Sequence, residues 1–180
     1  MNGAVTVRPV TPADAARWID HRHALWPDAT RDELAAEAQA YLDGRGFMLE
    51  LVLVAVDNDA TETIAGFAEL SLRRYAEGCT TTPVAFLEAW FVVPEQRTRG
   101  VGRALVAAAE QWAVGRGCRE FASDALLENT TSAAAHAALG FEEVEQIRCF
   151  RKALTPVSSE SVSAADRPAF LAITTLACDS

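Results

Sequence analysis

The stretch Val84–Ala113 reads VAFLEAWFVVPEQRTRGVGRALVAAAEQWA. Val84 to Val93 is apolar except for one acid, Glu88, and is read as a strand. Pro94 stops it, because proline has no N–H for a ladder. Leu105, Val106, Ala109, Trp112 and Ala113 then recur at helical spacing, and Gly115 and Gly117 close that helix. Between strand and helix lies Arg97-Thr98-Arg99-Gly100-Val101-Gly102. Gly100 and Gly102 remove side chains where a ligand must approach backbone. The helix behind them presents unpaired N–H groups and the positive end of its dipole, which together make an anion site. Arg97, Arg99 and Arg103 add fixed positive charge. The same loop also reads as a strand-to-helix turn with solvated arginines. No Gly-Lys-Ser/Thr follows, so it is not a Walker loop, and its glycine spacing is not that of a dinucleotide fingerprint.

On the N-terminal side, Thr11-Pro12-Ala13-Asp14 carries a helix-start pattern. Ala15, Trp18, Ile19, Arg22, Leu25 and Trp26 follow at near-helical spacing, up to Pro27. Thr30 and Glu33 form a capping-box pattern for a second helix that contains Leu34, Ala38, Tyr41 and Leu42 and ends at Gly44. From Phe47 the period changes. Phe47–Val56 and Thr63–Arg73 are read as a hairpin about Asp57-Asn58-Asp59. That turn lacks the glycine and the twelfth-position acid of a calcium loop. Tyr75 to Pro83 is a polar loop. On the C-terminal side come a short strand, Arg119–Ser123, an alanine-rich helix, Thr130–Leu139, ended by Gly140, and a last strand, Glu142–Arg151. This order implies α/β layering around a mixed sheet. After Leu154 the residues lose periodicity, so the expectation is one domain over 1–154 and an extension, linker-like and then apolar, over 155–180.

The chain has 180 residues, half of them apolar, and a formal net charge of −9. That size suits one domain with its own core. The acidity argues against a generic nucleic-acid surface and suits a cationic partner. No apolar run approaches the ~20 residues of a bilayer span, and the first ten residues show no signal-peptide pattern, so a cytoplasmic location is expected. Cys79, Cys118, Cys149 and Cys178 form no CxxC pair and are expected to be free thiols, with no metal site. His21 and His23 are two apart on a helix and point in different directions.

The segment Arg97–Gly102, placed after a strand and before a helix, resembles the Arg/Gln-x-x-Gly-x-Gly/Ala signature of the GNAT superfamily of acetyltransferases. Ala133–Phe141, a helix ending in Gly-Phe, resembles its second signature. The resemblance spans about Val5–Leu154. It implies an α/β fold of α+β character: a central mixed twisted sheet of six to seven strands flanked by about four helices. It implies acetyl-CoA as cosubstrate, with Arg97, Arg99, Gly100, Val101, Gly102 and Arg103 at the pyrophosphate. Phe91 and Val92 would lie along the pantetheine arm, and Asn129 near the coenzyme. Leu25-Trp26-Pro27-Asp28, Gly78-Cys79, Phe86-Leu87-Glu88, Gly117-Cys118-Arg119-Glu120, Ala122-Ser123-Asp124 and Glu128-Asn129-Thr130 are similar to the chromosomal, dimeric aminoglycoside 6′-N-acetyltransferases. That narrower resemblance implies a homodimer and direct acetyl transfer in a ternary complex. It also implies an acceptor site lined by Trp26, Tyr75, Glu88, Asp124 and Glu145. Polyamines, peptide N-termini and metabolite amines are alternative acceptors, and a non-catalytic acyl-CoA binder is a further alternative.

Acetyl transfer to an amine needs a neutral nitrogen, a polarised thioester and a protonated leaving thiolate. Glu88 and Asp124 are the candidate bases. Read as residues alone, Glu88 equally fits a pair with an internal arginine, Asp124 a cap, Trp26 core packing and Tyr75 an ordinary loop residue. His136 stands four residues before Gly140, where many of these enzymes carry a tyrosine as general acid. Imidazole also donates a proton, and an ordinary packing histidine is the alternative.

Overall fold

The computed structural model describes residues 5–46, 48–58 and 63–154. By its internal contacts the chain divides into two units, Met1–Gln146 and Ile147–Ser180. In the first unit five strands form one sheet in the order β1-β2-β3-β4-β5. They are β1 Val5–Pro9, β2 Leu51–Asp57, β3 Thr63–Arg73, β4 Val84–Val92 and β5 Phe121–Ser123. The first three pairings are antiparallel, and β4 with β5 is parallel. The helices are α1 Ala15–Leu25, α2 Arg31–Leu42, α3 Val101–Gly115 and α4 Thr130–Ala138. The mixed sheet and the four helices agree with the expected fold class.

Alternation along the strands sorts side chains to two faces. Leu53, Ala55, Ala68, Leu70 and Leu87 meet Val101, Leu105, Val106 and Ala109 of α3. Val52, Val54, Val56, Phe67 and Ala89 meet Trp18 of α1 and Ala38 of α2 on the other. Each fully buried side chain of the size of Leu105 or Phe67 contributes about 2 kcal/mol of apolar transfer energy.

Local signals explain the helix ends. Thr30 accepts a hydrogen bond from the Glu33 N–H (3.3 Å), and the Glu33 carboxylate accepts from the Thr30 N–H (3.0 Å). Gly44 and Gly140 end α2 and α4 with positive φ, which L residues rarely adopt. Ahead of α1, Pro12–Asp14 is a single 3-10 turn. Its Asp14 accepts from the Thr11 N–H (2.7 Å) and is paired with Arg8 of β1 (2.6 Å).

Two expectations are corrected. The sheet has five strands among the described residues, not six to seven. The expected strand Glu142–Arg151 carries no ladder; residues 141–154 are coil, with Val144 and Phe150 exposed. Alternation makes a strand only where a neighbouring edge satisfies its N–H and C=O groups. Three glutamates, Glu142, Glu143 and Glu145, also oppose burial there. Conversely β1, which no pattern signalled, does form, because five residues suffice once β2 supplies the edge. Cys79, Cys118 and Cys149 are free. Cys178, Phe47 and the expected extension 155–180 lie outside the described residues.

The Arg8 pair, the largest cause, and the Thr11 hydrogen bonds lower the Asp14 pKa to about 2. A depressed carboxylate stabilises the fold above its unfolded pKa near 4 and loses that contribution as pH falls through about 2. Asp14→Asn should therefore lower Tm at pH 7, and the deficit should shrink steadily between pH 4 and pH 2 in thermal melts. A deficit independent of pH would assign the loss to packing instead.

Candidate functional site

The β4–β5 ladder contains three pairs, Ala85 with Phe121, Phe86 with Ala122 and Leu87 with Ser123, and then stops. On its other side β4 stays paired to β3 as far as Val92, opposite Gly66. From Glu88 onward, one edge of β4 therefore has no strand partner among the described residues. The first residues past the last pair are Glu88 and Asp124, one on each arm of the fork.

Glu88 is also the extra residue of a β-bulge: Leu70 pairs with Leu87 and Glu69 with Ala89, leaving Glu88 without a partner on β3. A bulge re-aims its side chain and bends its strand. Here it turns the carboxylate to Arg73, which grips it with two bonds (Nε to Oε1 3.0 Å, Nη2 to Oε2 2.6 Å). Ser71 Oγ donates to the same Oε1. The Arg73 guanidinium lies 3.3 Å from the Phe86 ring centroid. The internal-arginine alternative for Glu88 is thus what forms. The Glu88 side chain still keeps 20 % of its surface exposed, so a ligand can reach it. Asp124 is exposed.

On the opposite face, α4 aims His136 at the fork. Its Nδ1 lies 2.8 Å from the Ser132 carbonyl, and its Nε2 lies 3.0 Å from Ser123 Oγ. The ring packs edge-on against Trp90 and Phe141. Asn129 caps α4, its side chain accepting from the Ser132 N–H (3.0 Å). The register and the helix together bring Glu88, Asp124 and His136 to one fork.

The Arg/Gly loop sits at the open end of the same fork. Thr98 (φ 62°) and Gly100 (φ 88°) both have positive φ. Thr98 is the non-glycine residue so placed among the described residues, a strain of order 1 kcal/mol or more. Such turns point successive N–H groups inward, and α3 adds the free N–H groups of its first turn. Arg97 ties the loop to β4 through the Val92 carbonyl (3.1 Å), and Arg99 meets Gln96 (3.3 Å). Arg103 donates to the Ala138 carbonyl at the end of α4 (3.1 Å). A Cβ on Gly102 would stand 2.5 Å from the Trp90 ring, so glycine alone lets α3 approach β4 this closely. These features fit a diphosphate: N–H donors converging at a helix start, with Arg97 and Arg99 exposed beside it.

The remaining expected residues lie around this centre. Phe91 packs on Phe67 and His21, while Val92 packs toward α3. Tyr75 is 65 % exposed, and Glu145 is exposed. The loop of Tyr75 and the segment of Glu145 meet where Val144 closes on Gly78; a Cβ there would be 2.5 Å from Val144 Cγ2. Trp26 is half-buried at the end of α1, under the Arg22 guanidinium (5.1 Å to the ring centroid).

Arg22, Glu69 and Trp18 form a buried group that residue patterns did not reveal. Arg22 Nε lies 2.9 Å from Glu69 Oε1, and Trp18 Nε1 donates to that oxygen at 2.9 Å. Arg22 also donates to the Leu34 carbonyl (3.1 Å) and to Glu37 (2.8 Å). Burial pushes the Glu69 carboxyl up to about 7, against the lowering pull of Arg22. Arginine among apolar positions of a helix was the available signal. Its partner, on a strand 47 residues away, was invisible without the register.

Residues 14–141 match the model of the acetyltransferase (GNAT) family. The chain is 53 % identical over 154 residues to an aminoglycoside N(6′)-acetyltransferase type 1 of Klebsiella aerogenes, covering 86 % of this chain and 100 % of that one. It is 47 % identical over 154 residues to one of Stenotrophomonas maltophilia, covering 85 % and 96 %. The solved AAC(6′)-Iy in complex with the bisubstrate analogue CoA-S-monomethyl-acetylneamine superposes with a TM-score of 0.76 at 38 % identity, covering 84 % and 99 %.

Two measurements check the site's supports. Gly102→Ala should weaken acetyl-CoA binding at least tenfold in calorimetry, with helix content unchanged by circular dichroism; unaltered affinity would detach the Trp90 contact from the coenzyme site. Arg22→Ala leaves the buried Glu69 carboxyl without its counter-ion, held by Trp18 alone among the described residues, and should cost about 3 kcal/mol at neutral pH. A raised carboxyl pKa supports the fold below about 4.5 and loses that support as pH rises through its folded value. Urea titrations should therefore show the Arg22→Ala deficit growing from pH 5 to pH 8.

With the fork, the Arg/Gly loop and these relatives in agreement, the chain belongs to the GNAT acetyltransferase family.

Proposed function

We propose that this chain is an aminoglycoside 6′-N-acetyltransferase, moving acetyl from acetyl-CoA directly to the 6′-amino group of antibiotics such as kanamycin and tobramycin. The observation that carries this reading is the two-sided fork. The carboxylate of Glu88 faces one side of it, and the anion-binding loop and His136 occupy the other. Two substrates can then meet at the gap that opens beyond the Leu87–Ser123 pair without displacing each other, as a ternary complex requires. The relatives at 53 % and 47 % identity support the acceptor class.

In this reading Arg97, Arg99, Gly100, Val101, Gly102 and Arg103 hold the pyrophosphate. The unpaired edge of β4 at Phe91 and Val92 hydrogen-bonds the pantetheine arm, with Asn129 holding the start of α4 beside it. The acceptor lies on the other side, against Trp26, Tyr75, Asp124, Glu145 and Glu88. Glu88 or Asp124 takes the ammonium proton, directly or through water. The nitrogen then attacks the thioester carbonyl, and the departing sulfur is protonated from the His136 side. The net charge of −9 raises the local concentration of a polycation before it docks. Residues 1–154 act as the acetyltransferase domain, with 155–180 an extension. The reading places the protein in the cytoplasm, where acetyl-CoA is available. It also makes it a homodimer, as the narrower resemblance implies.

Purified protein with acetyl-CoA should release free thiol with kanamycin or tobramycin; folded protein with no release above background would overturn the acceptor. Glu88→Ala and Asp124→Ala should each raise KM for the aminoglycoside about tenfold or more, the loss of one charge-assisted hydrogen bond. KM for acetyl-CoA should move less than about threefold. Equal shifts in both constants would take these acids off the acceptor side.

A further inference from the structure

The reading above leaves open which atom hands a proton to the departing sulfur. His136 has no free nitrogen to present. Its Nδ1 faces the Ser132 carbonyl at 2.8 Å. A carbonyl only accepts, so this contact, shorter than the 3.3 Å from Nδ1 to the Ser132 hydroxyl, keeps hydrogen on Nδ1 in both the neutral and the protonated ring. Whatever His136 can exchange therefore sits on Nε2, and Nε2 is 3.0 Å from Ser123 Oγ. Ser123 is the β5 member of the last pair before the strands part. Its hydroxyl also lies 3.2 Å from the Leu87 carbonyl, on the other arm. One hydroxyl thus spans the apex of the fork, between the histidine and the open gap.

A serine hydroxyl has a single hydrogen. Beside neutral His136, that hydrogen is given to Nε2. Beside the imidazolium, Nε2–H is the donor, Ser123 Oγ accepts, and the serine hydrogen is released toward Leu87 and the gap. The charge on the ring therefore sets the direction of the hydroxyl.

We propose that Ser123 is the catalytic proton donor to the coenzyme sulfur and that His136 acts through it, as a two-member relay. The inference rests on the coenzyme placement given under the proposed function. As the amine nitrogen bonds to the acetyl carbon, the C–S bond breaks and its electron pair stays on sulfur. Sulfur takes the hydrogen of Ser123 Oγ, and Ser123 Oγ takes the Nε2 hydrogen of His136. Serine ends unchanged, and His136 ends neutral with its hydrogen on Nδ1. The ring regains a proton from water before the next turnover. The ammonium acceptor gives up two protons, so the reaction releases one net proton. No oxidant or further reactant is needed.

Two measurements on the intact protein decide it. The first is calorimetric binding of coenzyme A against desulfo-coenzyme A, to wild type and to Ser123→Ala. Wild type should bind coenzyme A severalfold more tightly than the desulfo form, and Ser123→Ala should bind the two alike. The second is the single-turnover rate of acetyl transfer in wild type, Ser123→Ala, His136→Gln and the double variant. Each single change should slow transfer about tenfold or more while acetyl-CoA affinity stays within about threefold. The double variant should be no more than about twofold slower than either, because the two groups act as one unit.

Transfer at the wild-type rate by Ser123→Ala overturns the relay, as do losses that multiply in the double variant. Equal affinity of wild type for the two coenzymes overturns it as well. If wild type transfers acetyl to no aminoglycoside, the acceptor assignment fails, and the coenzyme comparison still decides the Ser123 contact.

Discussion

The architecture turns on one interruption: the parallel ladder between β4 and β5 ends after Leu87 and Ser123. A sheet edge left open inside a fold carries N–H and C=O groups that need partners. The break is held by structure on both sides. The bulge at Glu88 bends β4 at that level. Trp90, two residues on, fixes the distance to α3 through its contact with Gly102. Arg103 ties the start of α3 to the end of α4. The opening is thus built in, and an extended ligand laid along β4 would complete the hydrogen bonding that β5 abandons.

Two carboxylate–arginine pairs flank this opening and serve different ends. Glu69 of β3 and Arg22 of α1 are both buried where helix and strand meet, so their attraction is largely offset by the cost of desolvating two charges. What the pair secures is geometry, because Arg22 also caps the Leu34 carbonyl and lies over Trp26. Glu88 and Arg73 are partly exposed, and water and ligands reach them. There the arginine keeps a carboxylate oriented at the fork, with Phe86 beneath it as a platform.

Much of this was legible from residue order. The apolar strand with its single acid, the Arg/Gly loop and the helix after it all form as read, because each signal is local. The Thr30/Glu33 box and the glycine ends of α2 and α4 are local too. What was not legible depends on register. Arg73 meets Glu88 because their strands are neighbours, and Arg22 meets Glu69 because α1 crosses β3. The bulge that singles out Glu88 is a mismatch between two strands and leaves no mark in either alone. The strand expected over Glu142–Arg151 failed for a related reason: its alternation was present, but among the described residues no strand pairs with it, and its three glutamates oppose burial.

The same distinction bears on the acceptor. Glu88 is already matched by one guanidinium, so a monoamine arriving at that carboxylate gains little over Arg73. A polycation gains by contacts elsewhere, at acids that no arginine among the described residues holds in such a grip. Asp124 stands on the other arm of the fork, and Glu145 lies on the segment that Val144 brings to the Tyr75 loop. Charge at several spacings, rather than the strength of one pair, then decides which amine is held with its nitrogen at the gap. On the proposed reading, this is why an aminoglycoside fits where a simple amine does not.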